Sequence, residues 1–342
     1  MKRVFINYNS KDNFGDDLFV KILCGYFPNQ KFITLVPKGR GGGLAGIKNL
    51  KMSFIGSSGS ARKQYYKTNY KADGCICLGG SAFTEPNEDL DEFWDFKYIF
   101  AEGPLCHVSA DFGPYTNIGF KGLCEEYFTE CDMIWFRDKI SISEIRANNV
   151  WYAPDLAFAL EMPQALASKK KYAVIAPIDL SGRFSVSMVH DEYMRKLGCI
   201  AEYLKKNGYD IITLALCPHE WDDRVAHTLR EYGAVMRYDG KNTDQILSII
   251  GGAACVVSSR LHAVIPAIMS DVPVLPIFHR ECFKSIVQEA DSNISCFDVT
   301  HLGELTEDVL GKAIKYKPKA DKAKMRKDVN EALEKVRKFI NL

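Results

Sequence analysis

The stretch SSRLHAVIPAI, residues 258–268, sets two hydroxyls, an arginine and a histidine side by side and then runs on almost wholly apolar. The guanidinium of Arg260 is a planar fork suited to carboxylate or phosphate. His262 is the side-chain type that exchanges a proton near neutral pH. The preceding ACVVSS reads as a buried strand, so the chain turns at Ser258 and Ser259 and enters a helix. Either serine hydroxyl suits an N-cap. The first backbone N–H groups of such a helix, aligned with its dipole, favour an anion. Pro266 cannot donate to the carbonyl of His262, which predicts a local kink. The expected chemistry is an anion grip, from Arg260 and Ser259, with a proton source beside it. The plainer alternative pairs Arg260 with a nearby acidic residue and leaves His262 as a satisfied core histidine. The strand-end position and the adjacent arginine favour the chemical reading.

The elements that must carry these residues alternate along the whole chain. RVFINY, KFITLV, GCICL, PLCHVS, MIWF and VWYA read as short buried strands, with helical stretches such as DLFVKILCGYF, GLCEEYFTEC and KISISEIRANN among them. The pattern restarts after about residue 166, past the basic LASKKKY, with YAVIAPI, DIITLAL, VMRY, ACVVS, PVLPIF and ISCFDV. Continuous apolar strands separated by crossover helices predict parallel sheets and an α/β class. We expect two doubly wound, Rossmann-like domains facing a central crevice, at 1–166 and 167–317, followed by a C-terminal helix at 318–342. That helix is periodic in Met325, Val329, Leu333, Val336 and Ile340, with a solvated basic face.

The totals bound the function. A length of 342 residues suits two domains. A formal net charge of +1 excludes polyanion binding by bulk charge, and with it a nucleic-acid partner. The 11 cysteines include no CxxC, and several lie in apolar runs, as do Cys75, Cys77 and Cys255. They read as reduced core thiols, not as a disulfide framework or zinc site. MKRVFINYN has no apolar signal core and no stretch reaches membrane-helix length, so a cytoplasmic setting is expected.

Ligands of open α/β sheets bind beyond the carboxyl ends of the strands. Residues at those positions include Asp16, in NFGDD; Gly79, Gly80 and Ser81, after GCICL; Arg137, Asp138 and Ser141, after MIWF; Asp155, after VWYA; and His279, Arg280 and Lys284, after PVLPIF. The glycines permit close backbone approach to a ligand. Asp16 suits either an acceptor hydroxyl or a helix cap, and Asp138 suits the orientation of Arg137. Arg137 and Arg260 fall in different expected domains, so closure would bring both onto one dianion.

Other motifs fail on inspection. KGRGGGLAGIK, at 38–48, matches GxGxxG, but no acidic residue follows between Ile47 and Ala72 to hold a ribose, and no Gly-Lys-Ser/Thr closes it as a P-loop. HEWDD, at 219–223, is not HExxH and gives no zinc site. ARKQYYKTNYK, at 61–71, reads as a solvated basic face. Glu281 and Glu289 have the eight-residue spacing of retaining GT-B glycosyltransferases. They follow the strand PVLPIF, however, where that pattern wants them before it.

The segments NFGDD, LGGSAF, DFGPYTN, FRDKIS, APDLAF and SSRLHAVIPAIMSDVPVLPIF together resemble the polysaccharide pyruvyltransferases, over about Asn9 to Lys284. Two departures are Ser109, where glycine is commoner, and Phe278 in place of a tyrosine before the lysine matching Lys284. The resemblance implies a GT-B-like fold and transfer of an enolpyruvyl unit from phosphoenolpyruvate to a sugar diol. The product is a pyruvate ketal, with phosphate released, in cell-surface or exopolysaccharide biosynthesis. His262 is then the general acid. Arg260, Arg137, Lys284 and Ser259 hold phosphoenolpyruvate, and Asp16, Gly79, Gly80 and Ser81 face the acceptor. The scheme calls for no metal and no cofactor. A lipid-linked acceptor would give the basic segments 61–71 and 312–338 a use at the inner membrane surface. The competing readings are a GT-B glycosyltransferase using a nucleotide sugar, and a non-catalytic carbohydrate- or phosphate-binding protein on the same fold.

Overall fold

Apolar runs such as VFI, FITLV, CICL and MIWF, each short and bounded by polar or turn residues, form parallel strands. The structure, a computed structural model, describes residues 2–55, 72–85, 103–183 and 186–340. The segment 61–71 lies outside them. The chain divides into two compact units: Met1–Lys11, Asp16–Ala159 and Ala323–Leu342 form the first, and Asp12–Gly15 with Leu160–Lys322 the second.

Seven strands of the first unit, β1 (Arg3–Asn7), β2 (Lys31–Pro37), β3 (Leu50–Ile55), β4 (Gly74–Leu78), β5 (Leu105–Ala110), β6 (Met133–Phe136) and β7 (Val150–Tyr152), make one parallel sheet. Its order is β3-β2-β1-β4-β5-β6-β7. Helices α1 (Phe14–Tyr26), α2 (Ile118–Glu130) and α3 (Lys139–Glu144) connect parts of it. β5 is buried along its whole length, as its apolar sequence requires. β3 has no continuous apolar run; it is an edge strand with Phe54 exposed. The glycine loop after β2 forms one short 3-10 turn, Gly42–Leu44, and leads into β3. No helix N-terminus follows the GxGxxG residues, so they lack the anion cradle of a dinucleotide site.

The second unit has six parallel strands, β8 (Tyr172–Ala176), β9 (Asp210–Ala215), β10 (Ala234–Arg237), β11 (Cys255–Ser258), β12 (Val274–Phe278) and β13 (Phe297–Asp298), in the order β10-β9-β8-β11-β12-β13. Its helices are α4 (His190–Lys206), α5 (Asp222–Thr228), α6 (Thr243–Gly252), α7 (Leu261–Met269), α8 (Glu281–Ala290) and α9 (Glu307–Ala313). α7 is buried on nearly every side and continues through Pro266. Both sheets reverse strand order at an inner pair, β1/β4 in the first and β8/β11 in the second. The crevice at such a switch point is where α/β sheets hold ligands.

The final helix, α10 (Lys322–Ile340), packs on the first unit. Val329, Leu333 and Val336 are fully buried, as the sequence period predicts. Tyr26 donates to Glu334 at 2.7 Å, and Lys335 lies over the Trp151 ring at 4.2 Å. Part of its basic face is matched by its own acids, through Lys324–Asp328, Lys327–Glu331 and Arg337–Glu334. Cys75, Cys77 and Cys255 are buried thiols, in keeping with their apolar settings. No helix among the described residues is long and apolar enough to cross a membrane. Leu333→Ala should cost about 2–5 kcal/mol of stability, measured by denaturant unfolding.

Candidate active site

In the first unit, the strand-end segments converge on Arg137, at the end of β6. Its side chain is 7% exposed. Nε and Nη2 donate to Asp111 Oδ2, at 3.1 and 2.5 Å, and Nη1 donates to Asp155 Oδ2 at 2.8 Å. Both carboxylates are fully buried. A buried arginine keeps its charge, so it needs such partners.

Local rules place each partner. Asp138 is the N-cap of α3; its carboxylate accepts from Ser141 N at 2.8 Å and from Ser141 Oγ at 2.6 Å. The hydrogen bonds of Asp138 thus serve the helix start, while Asp111 and Asp155 hold the Arg137 guanidinium directly. Ser141 Oγ in turn accepts from Phe112 N at 2.8 Å, which fixes the residue after Asp111. Asp155 Oδ1 accepts from Ala157 N at 2.8 Å while its other oxygen holds Arg137. Leu156 N donates to Ser109 Oγ at 3.0 Å. Ser109 itself has φ 60°, the left-handed region that glycine enters without strain.

Gly80 completes the arrangement. Its carbonyl accepts from Asp111 N at 2.7 Å, and a Cβ on it would overlap the Arg137 guanidinium. Neighbouring Gly79 has φ 132° and lies against the Asp16 carboxylate, 3.7 Å from where a Cβ would stand. Asp16, in the first turn of α1, and Gly79, after β4, thus meet at the β1/β4 switch point. Ser81 follows them in the turn after β4.

In the second unit, Arg260 follows β11 at the β8/β11 switch point. Nε and Nη2 donate to the two oxygens of Asp222, at 2.8 and 2.5 Å, and Nη1 lies 2.8 Å from Glu220 Oε2. Glu220 also takes Arg183 Nη2 at 2.5 Å. Burial alone would lower the pKa of Arg260, but Asp222 and Glu220 outweigh it and hold the guanidinium firmly charged. Glu220 is likewise raised by burial, yet Arg260 and Arg183 together pull it down to about 2. His279, next to Arg280 after β12, is pushed well below the usual histidine range by burial and by Arg183, Arg280 and Arg260, so its ring is neutral.

The helix start differs from expectation in one respect. The N-cap of α7 is Arg260, and neither serine caps it. Ser258 Oγ accepts from Arg260 N at 2.9 Å and closes the turn locally. Ser259 Oγ meets the hydroxyl of Tyr193 at 2.8 Å, inside the core. The extended backbone of Arg260 makes it the N-cap and leaves Ser259 and Ser258 one and two residues too early to cap.

His262 sits in the first turn of α7, half-buried. A Cβ on Gly15, of NFGDD, would overlap its imidazole. Phe14 N donates to Leu216 O at 3.1 Å, and the Phe14 ring meets Tyr238 edge-on at 5.4 Å. These contacts seat the NFG segment against the second unit's strand ends. Lys284, on α8, pairs with Glu281 at 3.5 Å and lies 5.4 Å from the Phe278 ring centre. Among the described residues, no group of His, Cys, Asp and Glu is arranged to hold a metal.

Sequence reasoning did not assign roles to Asp111, Asp155, Glu220, Asp222 or Arg183. The first two lie in the strand-end segments DFGPYTN and APDLAF, but no local signal pairs them with Arg137. Glu220 and Asp222 lie in HEWDD, which was considered only as a metal motif.

Two doubly wound parallel sheets, each with charged residues gathered beyond the carboxyl ends of its strands, define a GT-B fold. Solved structures agree over nearly the whole chain. The MnaA–UDP co-structure from S. aureus is 12% identical with a TM-score of 0.62, covering 98% of this chain and 97% of that one. Arabidopsis thaliana UGT89C1 complexed with UDP-L-rhamnose is 10% identical with a TM-score of 0.60, covering 100% and 99%. The UDP-GlcNAc 2-epimerase of Methanocaldococcus jannaschii is 11% identical with a TM-score of 0.59, covering 98% and 99%. No curated protein matches the chain in sequence. The chain belongs to the polysaccharide pyruvyl transferase family, whose model matches residues 13–278. Both arginine networks fall inside that span, and Lys284 falls beyond it.

Gly80→Ala should cost about 1–3 kcal/mol, because the methyl group displaces a guanidinium pinned by two carboxylates; denaturant midpoints measure it. The ion pairs of Glu220 should give the protein an acid-sensitive component. The folded pKa, about 2, lies below the ordinary 4.5, so this stabilisation is present above about 4.5 and lost as pH falls towards 2. The melting-temperature difference between wild type and Glu220→Gln should shrink across that window.

Proposed function

We propose that this chain transfers an enolpyruvyl unit from phosphoenolpyruvate to two hydroxyls of a sugar, forming a pyruvate ketal and releasing phosphate. Membership of a transferase family supports an enzyme of this class. The observation that carries the finer reading is the placement of Arg260 and His262 together at the β8/β11 switch point, with Gly15 leaving the space that the imidazole fills.

In this scheme the second unit holds the donor. Arg260 binds an anionic group of phosphoenolpyruvate, and Asp222 fixes the angle of its fork. His262 delivers a proton to the methylene carbon. Electron density leaves the C=C bond, and the carbon bearing the phosphate oxygen becomes cationic. One acceptor hydroxyl adds there and gives up its proton, which restores His262. A second hydroxyl attacks the same carbon as the C–O bond to phosphate breaks; the phosphate leaves with that electron pair and carries away the second hydroxyl's proton. The arrangement combines positioning with electrostatic stabilisation of the developing charge. Asp16, Gly79, Gly80 and Ser81 are proposed to face the acceptor in the first unit. Arg137 and Lys284 are proposed as further anion contacts and Ser259 as a support of the donor turn. The acceptor belongs to a cell-surface or exopolysaccharide pathway in this reading, met in the cytoplasm or at the inner face of the membrane.

His262→Ala should lower turnover by about 10²–10⁴-fold, the range for a general acid, while leaving phosphoenolpyruvate binding and the melting temperature nearly unchanged. Gly15→Ala should mimic it by displacing the imidazole. A fully active His262→Ala enzyme removes the acid assignment. Saturating phosphoenolpyruvate, near 100 times Kd, should add about 2.7 kcal/mol of stability. Stabilisation by UDP- or GDP-sugars and not by phosphoenolpyruvate would favour glycosyl transfer instead.

A further inference from the structure

The HEWDD segment, without use as a zinc motif, supplies both carboxylates of the Arg260 network. The two acids are placed very differently. Asp222 has no exposed surface, takes Arg260 through two N–H groups and accepts from Cys217 N at 2.9 Å. It is a fixed counter-charge. Glu220 is 36% exposed and offers a single oxygen, Oε2, to two guanidinium groups: Arg183 Nη2 at 2.5 Å and Arg260 Nη1 at 2.8 Å. One oxygen shared between two arginine forks is the contact that a phosphate or carboxylate ligand would make.

The surroundings support a site and not only a surface ion pair. Arg183 lies beyond β8, with Nε donating to Asp179 O at 3.2 Å, so its head group is held in place. Burial and the like charge of Arg260 both lower its pKa, so an anion between the two is strongly favoured. His279 brings Nε2 to 3.5 Å from Arg183 Nη1, and its Nδ1 is buried with no hydrogen-bond partner among the described residues. A neutral ring accepting through Nε2 carries its proton on Nδ1, which leaves a buried donor still to be satisfied. Between the two acids, Trp221 has φ 64°, a conformation that a bulky residue adopts only under constraint. That reversal turns Glu220 and Asp222 onto the same arginine.

We propose that Arg183 and Arg260 form a binding site for a small oxyanion, a phosphate or carboxylate group, and that Glu220 is its built-in occupant, displaced when the ligand enters. The inference rests on the proposed function for the identity of the natural ligand, but not for the exchange itself. Glu220 keeps two part-buried cations compensated while the site is empty, and it sets a threshold that only an anion able to reach both forks overcomes.

The test is titration calorimetry on the full chain with inorganic phosphate, pyruvate and phosphoenolpyruvate, for wild type, Glu220→Gln, Glu220→Asp and Arg183→Gln. Glu220→Gln should tighten binding by about tenfold, the effect of removing one competing charged hydrogen bond. Glu220→Asp, with its shorter reach, should fall between, and it carries the test if the glutamine variant does not fold. Arg183→Gln should weaken binding by a similar factor. Tightening with phosphate and not pyruvate assigns the site to the phosphate group, and the reverse assigns it to the carboxylate. A folded Glu220→Gln protein that binds phosphate and pyruvate no tighter than wild type overturns the proposal, as does an Arg183→Gln protein that binds as wild type does. If wild type ignores phosphoenolpyruvate, the proposed donor falls, while the response of phosphate or pyruvate to Glu220→Gln still decides the exchange.

Discussion

An arginine cannot escape burial by giving up its proton, so a buried guanidinium dictates what surrounds it. Arg137 is the point at which this constraint organises the first unit. Its charge demands Asp111 and Asp155, which stand at the ends of different strands. Those two acids need their own backbone anchors, and the turns that provide them draw in Ser109, Ser141 and Asp138. The guanidinium also needs room, which Gly80 gives by having no side chain. Four sequence segments that look unrelated along the chain are therefore one electrostatic unit.

The second unit solves the same problem with a different balance. Arg260 has one counter-ion sealed from solvent and one at the surface, and a second arginine leans on the surface one. The first unit's network is closed, with every charge buried; the second is open on one side. An open network can be rearranged at modest cost, because water or a ligand compensates whatever is exposed. A closed one is a poor place for exchange, since breaking it strands a charge in low dielectric.

Much of this was legible in the sequence. The two doubly wound sheets follow from short apolar runs separated by helical stretches, and the importance of SSRLHAVIPAI follows from charge placed at a strand end. Edge strand β3 was not legible, because a half-exposed strand such as one carrying Phe54 lacks the continuous apolar signal. The serine caps were misread because the cap position depends on one backbone angle, that of Arg260. The partners of each arginine were out of reach for a different reason. Asp111, Asp155 and Asp222 lie 26, 18 and 38 residues from the arginines they serve, and nothing local marks an acid as belonging to a distant cation.

The packing of α10 has a consequence for synthesis. The first unit opens the chain, yet Val329, Leu333 and Val336, part of its buried apolar surface, are made only after every residue of the second unit. Domains emerging from the ribosome generally fold in order, N-terminal first. Here the second unit has its residues in hand while the first still lacks a helix. During that interval the Tyr26 hydroxyl and the Trp151 ring lack the α10 partners, Glu334 and Lys335, that they meet in the folded chain.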